Sequence, residues 1–410
     1  MTRVVMKFGG TSLGTLERIQ EVAVTIQRAK DAGNEVAVVV SAMAGTTDKI
    51  LNHFRSISPQ YDMREYDTAI TAGEHISCGL LTVALQKLGL GARSWLGWQI
   101  PIQTDSSHGK ARITRIITPT LENYLSDGNI AVIAGFQGLA PDQRVTSLGR
   151  GGSDTTAVAL AAALKAEACD IYSDVDGVYT TDPRVVPLAQ KLNQITYEEM
   201  LEMASLGAKI LHGRSVELAM KHCVRLHVRS SYDVDKKGTM VVSEDQILEQ
   251  ELVSGIAYSR DEAKITLVGV ENQPGIAADI FGPLANANIN VDMIVQNVSA
   301  RENRTDLTFT VAKAEVDHAL KTLEKFSLAH NLVEIVHDVA VSKVSVVGVG
   351  MKSHAGVAQT MFKTLAEKGI NIEVISTSEI KVSVLISDEY TELAVRALHS
   401  AYGLDAEEKI

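Results

Sequence analysis

Apolar positions along the first half of the chain alternate between two spacings. Val4 to Met6 form a short apolar run that enters Lys7-Phe8-Gly9-Gly10-Thr11-Ser12, and Leu16, Ile19, Val22, Ala23 and Ile26 then recur at helical spacing. Glu35 to Val40 is a continuous β-branched run, the pattern of a strand covered on both faces, and it ends in the small, hydroxylated stretch Ser41 to Thr47. Ile70, Ile76, Leu80, Leu81, Val83, Ala84 and Leu88 predict a helix over 68–88 entered through Thr71 to Glu74, and Asn129 to Ala134 predicts another buried strand, closed by Gly135 to Gly138. Ala157 to Lys165 is a helix of small apolar residues with almost no polar face, hence buried, and Ser153 or Asp154 is placed to cap it. Further on come a strand at Cys169 to Ser173, a helical pattern from Thr196 to Met220 broken at 205–209, and a strand at Val224 to Val228. Strands alternating with helices predict an α/β fold with a mostly parallel sheet and helices on both faces. Ligands of such sheets sit at the carboxyl ends of the strands, where three ends here carry Gly, Ser and Thr.

The last third contains an internal repeat. Ala263 to Val270 matches Ser342 to Val349, and Pro274-Gly275-Ile276-Ala277 matches Ala355-Gly356-Val357-Ala358. Ile289-Asn290-Val291-Asp292 and Ile294 match Ile370-Asn371-Ile372-Glu373 and Ile375. Each copy reads strand, glycine turn, helix, strand, then further strand and helix: a small α+β module used twice. Modules of this kind, without clustered catalytic side chains, point to sensing or assembly; a purely structural dimerisation unit is the alternative.

Two glycine-rich loops carry the candidate chemistry. Lys7 with Gly9 and Gly10 has the outline of a phosphate cradle, in which glycine amides approach an anion and lysine adds a full charge. A Gly-Gly turn between strand and helix reads equally well. A Walker A loop is excluded, because here the lysine precedes the glycines. In the second loop, Leu148 to Thr156, Arg150 lies between glycines, where neither capping nor turn formation needs it and an anionic ligand does. Asp174 to Arg184 contains Asp-Gly and Asp-Pro turn signals that could also wall a nucleotide pocket, with Tyr179 offering a ring and Arg184 a charge. The break before Lys209 aims that lysine away from a regular helix.

Composition narrows the classes. A chain of 410 residues predicts two or three domains, and 45% hydrophobic and 22% charged residues are ordinary for a globular protein. The net charge of −11, with no basic run, argues against a nucleic-acid surface. Cys78, Cys169 and Cys223 lack CxxC spacing and read as reduced thiols. With no signal peptide and no apolar run approaching the roughly 18 residues of a membrane span, the expectation is a cytoplasmic protein without membrane contact.

Taken together, Lys7 to Ser12, Ser41-Ala42-Met43, Thr71 to Glu74, Leu148 to Thr156 and Tyr172 to Tyr179, in that order, resemble the bacterial aspartate kinases, and the two C-terminal copies resemble that family's pair of ACT modules. The resemblance implies an amino-acid-kinase domain at 1–245, a linker and strand at 246–262, and ACT modules at 263–340 and 341–410, the first inserted in the second through the strand Leu252 to Tyr258. It implies transfer of the γ-phosphoryl of MgATP to the β-carboxylate of L-aspartate, the first step towards lysine, threonine and methionine. Lys7, with Gly9 and Gly10, would hold phosphate oxygens and Asp154 would orient Lys7. Arg150 would clamp the α-carboxylate and Glu74 the ammonium, with Ser41, Thr47, Gly151, Gly152 and Ser153 around the substrate. Ser173, Asp174, Tyr179, Arg184 and Lys209 would hold ATP, whose phosphates and water would carry the Mg²⁺ without an assignable protein ligand. Lysine, threonine or both would inhibit at Asn272, Gly275, Ile276, Ala277, Asp292, Gln296 and Asn297. The ACT modules imply a homo-oligomer, and Met240 offers an internal start for a shorter regulatory subunit as in some relatives. A kinase for another acceptor on the same fold, or an amino-acid sensor with an inactive kinase domain, are the competing readings; Glu74 with Arg150 argues against the first and intact Lys7, Arg150 and Asp154 against the second.

Overall fold

The computed structural model describes residues 2–205, 210–247, 252–298, 304–330, 334–354 and 356–405. They group into two compact units, the first holding the described residues of 2–178, Lys191–Ala204 and 210–247, the second Tyr179–Gln190 and the described residues from 252 to 405.

The first unit is built on an eight-stranded sheet. In chain order its elements are β1 (Arg3–Phe8), α1 (Leu16–Asp31), β2 (Glu35–Val40), α2 (Ala72–Lys87), β3 (Ala92–Trp95), β4 (Ile130–Ala134), α3 (Gly152–Ala163), β5 (Ala168–Ser173), β6 (Gln194–Thr196), β7 (Leu226–Ser230) and β8 (Thr239–Val242). The sheet order is β6-β8-β7-β5-β1-β2-β4-β3, and every pair is parallel except β7 with β8. Because side chains alternate between faces of a strand, Met6 and Phe8, Val36, Val38 and Val40, and Ile130, Val132 and Ala134 share one face, under Ile19, Val22 and Ile26 of α1 and Leu81 and Leu85 of α2. Lys7 necessarily takes the other face, where α3 lies against β1, β2 and β5. β1 has β2 on one side and β5 on the other, so the chain leaves its carboxyl end at a switch in strand order, the place where open parallel sheets leave a crevice.

A separate four-stranded sheet, absent from the sequence expectations, pairs Ile113–Ile116, Ile102–Thr104, Gln137–Leu139 and Val145–Ser147 in that order. These strands are too short to show a period, and the pairing that joins the sheet's two hairpins, Gln103 with Leu139, links residues distant in sequence. The helical stretch Met63–Lys87 also differs from expectation: Asp67 and Glu74 interrupt it in sequence, yet by length and composition it is apolar enough to cross a membrane, and half of its window is buried.

In the second unit, β9 (Gly255–Glu271), α4 (Ile276–Asn286), β10 (Asp292–Val298), β11 (Arg304–Val311), α5 (Val316–His330), β12 (Glu334–Val347), α6 (Val357–Glu367), β13 (Val374–Thr377), β14 (Lys381–Ser387) and α7 (Thr391–Ala401) form one six-stranded sheet, ordered β10-β11-β9-β12-β14-β13. Gly255 to Ser259 pair with Val347 to Lys343, and Lys264 to Val268 pair with Asp338 to Glu334. The two long strands therefore run through both repeats, each of which has its own core, one around Ile265, Ile280 and Phe309 and the other around Val344, Met361 and Val395. The segment before the first repeat completes the sheet of the second, as expected from the strand Leu252 to Tyr258.

Candidate active site

At the carboxyl end of β1, Lys7 Nζ stands 2.6 Å from Asp154 Oδ1, and both side chains are largely buried. The contact follows from the parity of β1 and from the seat of α3 on the same face. The expected capping of α3 by Ser153 or Asp154 does not occur. Gly151, in the left-handed region at φ +66°, is the N-cap and no side-chain cap bond forms, because Asp154 lies inside the first turn and turns to Lys7 instead. Nor does the first loop run directly into α1: a 3₁₀ turn, Thr11–Leu13, intervenes, and Thr15 caps α1 by accepting from the Arg18 amide. The Gly9 amide donates to Tyr172 O at 3.3 Å. Gly10 is demanded by close approach, since a Cβ there would lie 2.8 Å from Ala42 O at the end of β2.

Across that approach lies Glu74, in the first turn of α2. It is 3% exposed; Oε1 accepts from the Ala42 amide at 3.1 Å, and Oε2 has no hydrogen-bond partner. Burial pushes its pKa up from 4.5 to about 7, against the lowering pull of the Ala42 amide. A buried carboxylate with an unsatisfied oxygen is a strong attractor for a cation that brings its own donors. Ser41 follows β2, its amide donating to Phe8 O, and Thr47 lies in the first turn of helix Thr46–Ile57. Ser153 is buried beside Gly135 at the end of β4, where a Cβ on the glycine would sit 3.0 Å from the serine Cβ. Arg150 is exposed on the loop between Val145–Ser147 and Gly151, and Gly152 opens α3. The ends of β1, β2 and β4 thus gather Lys7, Ser41, Glu74, Ser153 and Asp154.

Of the expected nucleotide residues, Ser173 ends β5 and donates its hydroxyl to Asp174 Oδ1 at 3.0 Å. Tyr179 and Arg184 belong to the second unit; there Arg184 pairs with Asp182 at 2.8 Å, Thr180 bonds to the buried His399 of α7 at 2.8 Å, and Arg396 donates to Val185 O. Lys209 lies outside the described residues. Among the described residues no group of three or more His, Cys, Asp or Glu side chains is placed to hold a metal ion. Sequence reasoning missed Asp67, His108, Ser147 and Arg214, which pack around the Arg150 loop; an Asp three positions before Ile70 and seven before Glu74, on the same helical run, was the available signal.

The sequence profile of the amino acid kinase family matches residues 2–230, and that of the ACT domain matches 265–326 and 344–402. An aspartate kinase of Pseudomonas putida is 52% identical over 406 residues, 99% of this chain and 98% of its own. The chain belongs to the aspartate kinases. The fold of Escherichia coli aspartokinase III in complex with aspartate and ADP (R-state) superposes with a TM-score of 0.81 at 27% identity, covering 97% of this chain and 99% of that one. The same enzyme in complex with lysine and aspartate (T-state) gives 0.76 at 27% identity, covering 97% and 98%. As an aspartate kinase the protein is an ATP-using phosphotransferase with paired ACT modules.

In this aspartate kinase the expected regulatory residues fall on two elements of the first module. Asn272, Gly275, Ile276 and Ala277 form the turn into α4, with Gly275 at φ +96°, and Asp292, Gln296 and Asn297 lie exposed on the outer strand β10. The internal repeat pairs crosswise: Lys343 of the second copy binds Asp292 of the first at 2.7 Å, while Lys264 of the first binds Glu373 of the second, the repeat counterpart of Asp292. Lys343 is nearly buried and also bridges to Glu262 at 2.9 Å.

Proposed function

We propose that this kinase transfers the γ-phosphoryl group of MgATP to the β-carboxylate of L-aspartate, giving 4-phospho-L-aspartate as the first step towards lysine, threonine and methionine, under feedback by lysine, threonine or both. The observation that carries the reading is the buried Glu74 with its unsatisfied oxygen, at the ends of the same strands that bring Lys7 to Asp154. Glu74 takes the substrate ammonium and Arg150 its α-carboxylate. With both α-groups held, the β-carboxylate is the end left to react. Ser41, Thr47 and Ser153 add hydroxyl groups around it. A β-carboxylate oxygen forms the new bond to the γ-phosphorus as the bond to the bridging oxygen breaks and ADP leaves; Mg²⁺ enters with the nucleotide phosphates. The attacking carboxylate is ionised at neutral pH and has no proton to lose, so Asp154 orients Lys7 and no general base is needed. Lys7 and the Gly10 turn face the charge that spreads over the transferring group, which is where catalysis of phosphoryl transfer resides. Ser173 and Asp174 are the nucleotide-side groups of the first unit. The E. coli relative solved with aspartate and ADP supports the substrate pair.

Coupled ADP release with L-aspartate at saturating MgATP tests the reaction, and no turnover defeats it. In the same assay Arg150→Ala is expected to raise the KM for aspartate by about tenfold or more, as removal of a bidentate carboxylate partner should, with the KM for MgATP little changed. An effect confined to ATP reassigns the residue.

Feedback rests on the ACT pair and on the E. coli relative solved with lysine and aspartate. An inhibitory zwitterion must bind one conformation better than another. Asp292, exposed on β10 and held by Lys343, is the anionic group offered to its ammonium. Activity titrated with lysine, threonine and both together is expected to fall for at least one of the three. Undiminished activity in all three removes the feedback reading while leaving the kinase.

A further inference from the structure

Asp67 is wholly buried, and no lysine or arginine among the described residues forms an ion pair with it. Its carboxylate is satisfied instead by three donors from two other segments. His108 Nδ1 lies 2.8 Å from Oδ2, the Gly109 amide 3.1 Å from both oxygens, and the Ser147 hydroxyl 2.5 Å from Oδ1. An ionised carboxylate only accepts hydrogen bonds, so the Nδ1 of His108 carries a proton. Burying such a group is costly unless every lone pair is occupied, and a fully occupied one holds its partners in a single geometry.

The partners are informative. Ser147 ends the strand Val145–Ser147, and the next residues are Leu148, Gly149 and Arg150. Arg214, half-buried in the first turn of helix Gly213–His222, donates to Leu148 O and Ala111 O, each at 2.7 Å, and the Ala111 amide donates to Ser147 O at 2.9 Å. Gly149 is in the left-handed region at φ +76°, and a Cβ there would come 3.0 Å from Gly109 O. The stem of the Arg150 loop is therefore seated on 109–111 and gripped from two sides, by Asp67 and by Arg214. On its other side Asp67 belongs to helix Met63–Ile70, whose last turn is tied to Thr71 through the Asp67 carbonyl at 2.9 Å, and Ala72 opens the helix that bears Glu74.

We propose that Asp67, with Arg214 as its counterpart, is a positioning residue that fixes the spacing between Glu74 and Arg150, and so lets one enzyme grip the ammonium and the α-carboxylate of the amino acid at once. The inference rests on the assignment of those two grips. Asp67 touches neither substrate; it acts through Ser147 and the loop that follows.

The test is steady-state kinetics on the full chain for Asp67→Asn, Arg214→Lys, Arg150→Ala and the double variant of Asp67→Asn with Arg150→Ala. Asp67→Asn keeps the shape and one acceptor but turns a donor towards donors, and Arg214→Lys keeps the charge but cannot reach both carbonyls. Each is expected to raise the KM for aspartate by about tenfold, the scale on which small misplacements cost binding and rate, with the KM for MgATP unchanged. Once Arg150 is removed there is no clamp left to misplace, so Asp67→Asn in the Arg150→Ala background should add less than about twofold. A KM for MgATP that rises in step, or a full effect persisting without Arg150, overturns the inference, because a general loss of structure would do both. If Asp67→Asn does not fold, Arg214→Lys carries the same readout. An unchanged KM for aspartate in Arg150→Ala defeats the site assignment itself, whereas a raised one alongside unaffected Asp67→Asn and Arg214→Lys defeats this inference alone.

Discussion

Lys7→Ala is expected to lower kcat by on the order of 100-fold or more, the scale on which removing a charge-stabilising donor slows group transfer. Lys7 stands where three features converge: the carboxyl end of β1, the Gly9-Gly10 turn, and the face covered by α3. Its ammonium is held by Asp154 at 2.6 Å in a largely buried setting, so it is already oriented when the nucleotide arrives and little reorganisation remains for the reaction step. Because the charge Lys7 faces on the transferring group develops more fully in the transition state than in the substrate complex, kcat should fall more than the KM for aspartate rises. Asp154→Asn is expected to cost less, since it leaves the ammonium in place and loosens only its direction. Single-turnover phosphoryl transfer checks the assignment, and an unchanged rate in Lys7→Ala takes the residue out of the phosphoryl site.

For Glu74 the expected result is a pH profile. Burial raises the pKa of the free enzyme's Glu74 to about 7, and only the carboxylate can grip an ammonium. On the acid side kcat/KM for aspartate should therefore fall about tenfold per pH unit below 7, levelling above it. Glu74→Gln should lose that limb and show a flat kcat/KM, depressed on the order of 100-fold at pH 8, where a charged partner has become a neutral one, with the gap closing as the acid limb of the parent enzyme descends. The same residue bears on stability with a definite sign. An unfolded glutamate loses its proton near 4.5 and the folded one near 7, so between these values the folded protein binds more protons and its stability falls as pH rises. The loss is complete above pH 7 and amounts to about 3 kcal/mol at most. Glu74→Gln escapes it, so its Tm should exceed that of the unsubstituted enzyme at pH 8 while the two converge towards pH 4. A profile unchanged by the substitution would sink the ammonium assignment.

Much of the candidate site's placement was legible because it depends on local pattern. The β-branched run at 35–40, the buried helix after Gly152 and the hydroxyl-rich strand ends placed Lys7, Ser41 and Ser153 at one edge of a parallel sheet. Capping went differently, since Asp154 serves Lys7 and a left-handed glycine suffices at the N-cap. Tyr179 and Arg184 follow β5 directly in sequence, yet they pack in the second unit because Val185 and Val186 are buried in the core of the second ACT module.

What the sequence determined by itself is whatever recurs at short range: the two periods, the glycine turns and the repeat; the strand that completes the second module from before the first was implied only by the resemblance to relatives. Alternation along β1 was enough to set Lys7 opposite Met6 and Phe8. Only the tertiary structure decided which distant groups meet. Asp67 and Ser147 are 80 positions apart, and Lys343 finds Asp292 while Lys264 finds Glu373 across the repeat. The pairings made by Asp67 and by Lys343 arise because buried charges must find partners wherever packing of the apolar faces happens to bring the chain, and apolar packing is non-directional. Glu74 shows the same division. Its residue type is written in the sequence, but its unsatisfied oxygen and its raised pKa exist only once α2 has docked beneath the end of β2 and water has been excluded from around it.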